Sequence, residues 1–376
     1  MHIQCTKKLL DRLKLKAEPV TEENPIFSWH ANLVTINRRQ TLVLMNDKTR
    51  YIAVSYGLKA KDFSKINSVI VQALREVLLH EGIKEELVER YIQDAGEIKF
   101  TTTKDRNHVA RLNMASRNTE AFADGQDMRD GTNEELSMNV SRLIVTDGNG
   151  GYISPNEELY RELIELYGEK IISTQAAEVK VTLMLEEHEV YRTLIVPLNR
   201  TFSEFHEILQ TAFSWKDYHL HEFYILDQTT AGQETNWNHP AFTEEGYKPV
   251  LNLVSNEEAF DYPNDMEIRL EQGIKLSAFI PGCKVLIYHY DFGDSWRHKI
   301  EVKRVIDDFE LNHPVCIGGV GDAPPEDVGG EGGFSQFLDV MANTDDPEYK
   351  YMKRWVIGQG YEAIDLEKIN RMLEGR

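Results

Sequence analysis

Residues 284–302 constrain the fold of this 376-residue chain more than any other stretch. Two runs of alternating apolar side chains, KVLIYHY and WRHKIEV, flank the short turn sequence DFGDS. Side chains alternate between the two faces of a strand, and a turn containing Gly and Asp reverses the chain, so the stretch predicts an antiparallel hairpin. With Tyr290 opposite Trp296, the register continues in steps of two and brings Tyr288 opposite His298 on an apolar, aromatic face.

The other face of this hairpin is predicted to be a mixed, partly cationic surface. The same register sets Ile287 against Lys299 and His289 against Arg297. His298, rather than His289, is therefore expected to point inward. Buried polar groups are usually hydrogen-bonded, so the favoured interpretation of His298 is an imidazole bonded to a neighbour.

The turn DFGDS has a structural interpretation as well as a functional one. Asp291 and Asp294 are expected to accept hydrogen bonds from backbone N–H groups, while Gly293 supplies a positive φ. The D-F-G triplet does not indicate a protein kinase, because the sequence has neither an H-R-D catalytic loop upstream nor a glycine-rich phosphate loop. In the functional interpretation, the two aspartates line a site.

The first half of the chain predicts a sheet with helices packed against it. HIQC reads as a short strand followed by Thr6 as an N-cap, and ANLVTIN, TLVLMND and RYIAVSY read as three further strands. Apolar residues at helical spacing predict a helix over residues 62–80. Ser154 as N-cap, with Pro155 at the first helical position, predicts the helix that closes this half.

The second half begins with alternation over residues 178–197, which predicts another hairpin. Thr201 and Glu204 form a capping box ahead of a helix with a phenylalanine-rich stripe. HLHEFYIL then reads as a strand, and residues 227–283 as a long polar excursion.

The length exceeds the ~250–300 residues that one core organises, so two domains are predicted, at residues 1–172 and 173–376. The predicted fold class is α+β. Each domain is expected to be a mainly antiparallel sheet with packed helices, and the C-terminal one is expected to be roll-like.

The formal charge of −20 lies almost entirely in the second half. Residues 1–172 contain 24 Lys+Arg and 26 Asp+Glu, whereas residues 173–376 contain 18 and 36. Nucleic-acid binding is therefore disfavoured for the C-terminal domain. In the first half, a modest basic patch is one interpretation and a solvated helix face is the favoured one. The residues concerned are Arg38, Arg39, Lys104, Arg106, His108 and Arg111.

The cysteines and the hydropathy pattern predict a cytoplasmic protein without a membrane anchor. Cys5, Cys283 and Cys316 form no C-x-x-C pair, which argues against a disulfide framework and a thiolate zinc site. No apolar run approaches the ~20 residues of a membrane span, and the N-terminus lacks the apolar stretch of a signal peptide.

Histidines and carboxylates of the second half form a candidate metal site. His219 and His221 would lie on one side of the predicted strand, about 6–7 Å apart, where two imidazoles can reach one ion. Such donors suit zinc, manganese or iron, although no H-E-x-x-H motif accompanies them. A divalent metal is thus a possible cofactor and inward histidines without metal are the favoured alternative. The metal candidates are His206, His219, His221, Asp291, Asp294 and His298.

A glycine-rich stretch, APPEDVGGEGGFSQFL, supplies further candidate residues. It leads into a helix, but it carries acidic side chains and no Lys or Arg, so phosphate would meet like charge. A structural turn or an acidic wall facing a cation is favoured. Together with the hairpin it gives the ligand-binding candidates: Tyr288, Tyr290, Asp291, Asp294, Trp296, Glu326 and Asp327.

Several stretches of the second half carry a family resemblance. FSEFHEILQTAFSWKDYHLHEFYI, YHYDFGDSWRHKIEV, PVCIGGVGDAPPEDVGGEGGFSQFL and DLEKINRML, in that order, closely resemble the plasmid pRiA4b open-reading-frame-three-like family over residues 175–376. The resemblance implies a compact α+β roll and no particular activity. Some members travel in insertion sequences. Val328 stands where members often have cysteine and Tyr191 where they have tryptophan, whereas Cys316 matches the family position.

Residues 1–125 resemble a separate uncharacterised domain. The resemblance lies in IQCTKKLL, WHANLVTINRRQTLVLMND and TTTKDRNHVARLNM. It implies no activity for the first half.

Three functions are left open by the sequence. The favoured one is a binding module with an aromatic and acidic cleft in the C-terminal domain, because its residues line pockets without completing a catalytic set. The alternatives are a metal-dependent hydrolase or nuclease-like enzyme and, from the family context, a mobile-element accessory protein. The ligand or protein partner is not specified by the sequence.

Overall fold

The computed structural model describes residues 1–18, 24–124, 128–148, 150–228, 247–261 and 266–375. The chain divides into two compact units, Met1–Ser173 and Thr174–Arg376. Among the described residues, each unit combines a large sheet with several helices, so the protein has an α+β fold in two regions.

The N-terminal unit contains a six-stranded sheet in the order β5-β1-β2-β3-β4-β6. The neighbours β5-β1-β2 are parallel and the remaining three pairs are antiparallel, so the sheet is mixed with a majority of antiparallel pairs. A separate ribbon is formed by β7 and β8. The strands are β1 (His2–Cys5), β2 (Ser28–Ile36), β3 (Arg39–Asn46), β4 (Ile52–Leu58), β5 (Lys99–Thr102), β6 (Gly131–Thr132), β7 (Val145–Thr146) and β8 (Tyr152–Ile153).

Helices cover both faces of this sheet. Leu42 and Leu44 of β3 belong to one core, and the alternate residues Val43 and Met45 belong to a second core on the opposite face. A strand buried on both faces reads as a continuous apolar run, as TLVLM does. The helices are α1 (Lys7–Leu13), α2 (Ala60–Phe63), α3 (Ile66–His80), α4 (Glu85–Ala95), α5 (Arg106–Ala123), α6 (Glu134–Ser141) and α7 (Pro155–Tyr167), with a 3₁₀ turn at Pro25–Phe27.

Two sequence expectations for these helices need correction. The helix expected over residues 62–80 is divided, because Lys65 leaves the helical region at φ −123 and ψ 31 and separates α2 from α3. Thr6 and Ser154 precede α1 and α7 as expected, but neither side chain makes a capping hydrogen bond. Thr6 instead donates its hydroxyl to Asn32 Oδ1 at 3.1 Å.

A buried carboxylate joins several elements of the N-terminal unit. Glu81 accepts hydrogen bonds from the hydroxyls of Tyr51 (2.8 Å) and Tyr160 (2.5 Å), and it pairs with the guanidinium of Arg142 (3.3 Å). Burial and the adjacent Glu81 charge raise the pKa of both tyrosines well above the ordinary value, so they stay protonated donors.

The C-terminal unit contains an eight-stranded sheet in the order β13-β12-β11-β14-β15-β9-β10-β16. Only the β12–β13 pair among these described strands is parallel. The expected excursion over residues 227–283 is partly described: residues 229–246 and 262–265 lie outside the described part. The strands are β9 (Thr174–Leu183), β10 (Val190–Pro197), β11 (His221–Gln228), β12 (Tyr247–Val254), β13 (Glu267–Leu270), β14 (Val285–Tyr290), β15 (Trp296–Phe309) and β16 (Val315–Val320).

One long helix, α8, crosses the apolar face of this sheet. It begins with the expected capping box: Thr201 Oγ1 accepts from the backbone N–H of Glu204, and Glu204 Oε2 accepts from the backbone N–H of Thr201. Ten of its twelve residues are buried, because it packs within the main core of the unit. The helices are α8 (Phe202–Phe213), α9 (Gly330–Ala342), α10 (Tyr349–Gly358) and α11 (Leu366–Leu373), with 3₁₀ turns at Glu257–Asp261 and Leu276–Ala278.

The register predicted for the β14–β15 hairpin is confirmed. Tyr290 pairs with Trp296 and Tyr288 with His298, in an antiparallel ladder. The expectation of a partly cationic second face is wrong at Ile287 and His289, which are both buried. Ile287 packs in a small satellite cluster of apolar side chains on that face, so the sheet is covered there as well.

Candidate functional site

The candidate site lies at one end of three neighbouring strands in the interior of the C-terminal sheet. His221 begins β11 and pairs with Tyr290 at the end of β14, and Tyr290 pairs with Trp296 at the start of β15. All three are buried, and the indole of Trp215 stacks over Tyr290 with ring centroids 5.1 Å apart. The end of α8 and the segment that follows it lie over these strand ends.

A hydrogen-bonded chain links α8 to the centre of the sheet. Tyr288 Oη lies 2.8 Å from His206 Nδ1 and accepts a hydrogen bond from Gln210 Nε2 at 3.1 Å. Gln210 Oε1 in turn accepts from the backbone N–H of Asp217. His206 Nε2 lies 2.9 Å from the Asp217 carboxylate, which only accepts, so Nε2 carries the proton and Nδ1 accepts from Tyr288.

Two imidazoles are stacked beside this chain. The rings of His206 and His221 lie 3.5 Å apart between centroids with an interplanar angle of 5°. Burial lowers the pKa of His206, and the hydrogen bond that its Nε2 donates to Asp217 opposes that shift without cancelling it. His221 Nε2 lies 2.9 Å from Glu271 Oε1.

Glu271 has a buried carboxylate oxygen without a hydrogen-bond partner. The residue follows β13 and is only 4% exposed, and its Oε2 has no partner among the described residues. A buried carboxylate oxygen without a donor is costly, since its hydration is lost without replacement.

A second group of ligand atoms surrounds His219. Its Nε2 lies 3.0 Å from Asp327 Oδ1 and 3.5 Å from Asp291 Oδ2. Asp291 is buried and Asp327 is exposed, so the group opens to solvent on one side. His219 and His221 were expected to reach one ion, but His219 precedes β11 and the two rings belong to different groups.

The expected hydrogen bonds of the DFGDS turn are present. Asp291 Oδ1 accepts from the backbone N–H groups of Gly293 and Asp294, and Asp294 Oδ2 accepts from that of Gly329. The positive φ expected at Gly293 is wrong: the left-handed residues of this turn are Asp291 (φ 53) and Ser295 (φ 60). Asp294 therefore belongs to the turn and to neither group of ligand atoms.

Three aspartates of the site have left-handed backbone conformations. Asp217, Asp291 and Asp327 have φ values of 56, 53 and 58. Such residues cost of order 1–3 kcal/mol and cluster at functional sites, although aspartate tolerates the conformation better than most side chains. The carboxylates of all three lie within 3.5 Å of a histidine nitrogen.

Glu326 lies beneath the second group. Its Oε1 accepts from the backbone N–H of Lys216 at 2.8 Å and from the hydroxyl of Tyr290 at 3.0 Å, whereas Oε2 has no partner among the described residues. Burial raises the pKa of Glu326, because the charged form loses its hydration. Trp296 and Tyr288, predicted as ligand contacts, are fully buried and form the packing under the site.

His298 lies apart from both groups. Its ring is fully buried, edge-on to Phe213 and Trp215 at centroid distances of 4.7 and 5.1 Å. Burial was expected, but neither ring nitrogen has a hydrogen-bond partner of ordinary geometry within the described residues. Burial lowers the pKa of His298 to about 3, with the backbone of Tyr288 and Trp296 acting weakly in the opposite direction. His298 is therefore a neutral core residue.

The remaining candidates have local roles. His108 of α5 stacks on the buried His30 at 4.9 Å, and Arg111 donates to the backbone oxygen of Asp147. Arg38 lies in the β2–β3 turn with φ 63. Burial raises the pKa of the Cys316 thiol, which does not favour a thiolate nucleophile.

Sequence reasoning missed Asp217 and Glu271. Asp217 lies four residues before His221, in a segment that the sequence places between a helix and a strand, so its proximity to a histidine was a usable signal. Glu271 meets His221 across fifty residues through the sheet order, and no local pattern marks it.

The fold and the site together define a two-unit α+β protein in which imidazole and carboxylate groups lie together at the ends of strands of the second unit. The chain belongs to the Plasmid pRiA4b ORF-3-like protein family, whose model matches residues 175–372. Residues 2–158 match the Domain of unknown function (DUF6933). Both resemblances seen in the sequence are thereby confirmed.

Two similar proteins each match about half of this chain. Uncharacterized protein y4hQ of Sinorhizobium fredii is 27% identical over 198 residues, which is 52% of this chain and 89% of that protein. A crystal structure of the protein of unknown function MM3350 from Methanosarcina mazei is 25% identical, with a TM-score of 0.40, and the match covers 52% of this chain and 97% of that one. Among the residues that the structure describes, no helix combines the length and the apolar composition that a bilayer crossing demands.

Proposed function

We propose that residues 173–376 form a binding module that recognises a basic segment of a partner protein. The recognition surface consists of Tyr218, His219, Leu220, Phe292 and Asp327. Large apolar side chains are exposed on it: Tyr218 is 62% exposed, Leu220 46% and Phe292 50%. Exposed apolar side chains beside polar groups are typical of protein interaction sites.

Charge supports a cationic partner. The carboxylates of Asp291 and Asp327 converge on one imidazole, so the group carries a net negative charge even when His219 is protonated. The side chain of Asp327 is 55% exposed and can pair with an incoming Lys or Arg. The twofold excess of acidic residues over residues 173–376 would steer such a partner toward this unit.

The observation that carries the proposal is the placement of exposed rings directly beside the carboxylates. The backbone N–H of Asp291 donates to the oxygen of Leu220, so the Phe292 turn and the 218–220 segment are adjacent. A basic side chain can engage the acids while its apolar neighbours in sequence cover Tyr218 and Phe292.

A selection experiment tests the proposal. A random peptide library displayed on phage is selected on the full chain, and enriched peptides are synthesised with a fluorescent label for anisotropy titration. We expect basic and apolar peptides whose affinity falls at least about tenfold in the Asp291→Asn/Asp327→Asn variant and weakens with salt. The variant Asp339→Asn/Glu367→Gln removes two exposed charges on α9 and α11 and serves as the control. Peptides that bind both variants equally well would contradict the proposal.

Two further points belong to this proposal. The three cysteines are free thiols, which supports a reducing compartment such as the cytoplasm. A role as a mobile-element accessory acting directly on DNA receives no support from the acidic second half.

A further inference from the structure

The His206 cluster, defined as His206, Asp217, His221 and Glu271, has the composition of a metal site. One ligand atom from each of His206, Asp217 and His221 lies within 4.8 Å of the others. Glu271 Oε1 extends the group, 2.9 Å from His221 Nε2. The donors come from α8, the segment after it, β11 and the segment after β13, so the fold assembles them from separate parts of the unit.

An unpartnered oxygen points independently to a cation. Glu271 is 4% exposed, and its Oε2 has no hydrogen-bond donor in the described part of the chain. Asp217 and Glu271 bring two carboxylates to the two imidazoles. One divalent ion would balance the two negative charges of these carboxylates.

The donor types select the class of ion. Two imidazole nitrogens and two carboxylate oxygens suit borderline transition metals, whereas calcium and magnesium favour oxygen donors throughout. To bind the ion, His206 Nε2 would give up its proton and Nδ1 would carry one, so that Nδ1–H would donate to Tyr288 Oη, which also accepts from Gln210 Nε2. Such outer hydrogen bonds are a regular feature of histidines that bind metals.

We propose that the His206 cluster binds one divalent transition metal ion of the zinc class. His206, Asp217 and His221 supply three donors, and Glu271 would be the fourth of a tetrahedral set. With all four bound, the ion would act as a structural clamp between α8, β11 and the end of β13 rather than as a hydrolytic centre with an open position. The inference does not depend on the peptide proposal, because none of the four donors belongs to the recognition surface.

Metal content is measured on untagged full-length protein stripped with a chelator, incubated with Zn²⁺ and dialysed. We expect about one equivalent of zinc to be retained, and Co²⁺ in its place to give the visible absorption of a tetrahedral site. Zinc at about 100 times its Kd should raise the Tm by about 5–10 °C. Glu271→Gln and Asp217→Asn should lose the retained ion and the Tm shift.

The control is the second group of ligand atoms. His219→Gln removes an imidazole two residues from both Asp217 and His221 but leaves the cluster intact, so this variant should retain the ion. Less than about a tenth of an equivalent in the unsubstituted protein overturns the proposal. Retention in Glu271→Gln with loss in His219→Gln also overturns it, since the ion would then occupy the other group. Asp217 is 60% exposed, so its variant keeps the test valid if Glu271→Gln does not fold.

Discussion

Acidification is expected to destabilise the C-terminal unit through His298. Burial between aromatic rings lowers the pKa of His298 from 6.5 to about 3. Between these values the unfolded chain binds a proton that the native protein does not, so the free energy of unfolding falls as the pH drops below about 6.5. Each pH unit in this window is worth about 1.4 kcal/mol, and lowering the pH from about 7 to about 4.5 should cost about 2.5 kcal/mol at this site alone.

The contribution is isolated by comparing the protein with His298→Leu. Leucine cannot be charged, has a similar volume, and removes no hydrogen bond of ordinary geometry to a described residue. Urea denaturation followed by tryptophan fluorescence gives the free energy of unfolding at both pH values. The loss on acidification should be about 2.5 kcal/mol smaller in His298→Leu than in the original protein.

His313→Gln, a substitution in the loop before β16, is the control for the removal of one histidine. Its pH dependence should match that of the original protein. If His298→Leu lost as much stability on acidification as the original protein, the native imidazole would have to accept a proton near pH 6.5. The account of His298 as a neutral core residue would then be wrong.

Three further substitutions test other parts of the structure. Glu81→Gln leaves the partly buried guanidinium of Arg142 beside a neutral amide and should cost the N-terminal unit about 3 kcal/mol in thermal unfolding, so an unchanged Tm would contradict the ion pair. Thr201→Ala should cost about 1 kcal/mol, with Thr201→Ser restoring most of it in the same urea assay. Gly321→Ala places a Cβ 2.3 Å from a backbone oxygen at φ +74 and should cost at least about 2 kcal/mol, whereas Gly332→Ala, with open space around it, should not destabilise.

The sequence was most informative where structure is periodic. One pair, Tyr290 with Trp296, determined the whole β14–β15 register, because side chains alternate strictly along a strand. The capping box of Thr201 and Glu204 could be predicted equally well, since both partners lie within one helical turn.

Tertiary contacts could not be predicted from the sequence in the same way. Alternation indicated that His289 and His298 face opposite ways, but not that a satellite cluster buries the second face. The site itself depends on the order β13-β12-β11-β14, which brings Glu271 to His221. Sequence reasoning therefore found the histidines and placed them in one group, whereas the structure divides them between two groups and a core position.

The three aspartates held at positive φ offer a way to read other members of this family. Glycine satisfies such a backbone without strain, so the backbone conformation alone does not require a carboxylate at residues 217 and 327, whereas the carboxylate of Asp291 also accepts two backbone N–H bonds of its turn. A relative with glycine at the positions equivalent to 217 and 327 would keep the fold and lose these carboxylates. Aspartate at the equivalent positions would instead mark proteins that still use their charge, and this distinction can be drawn from sequence without a further structure.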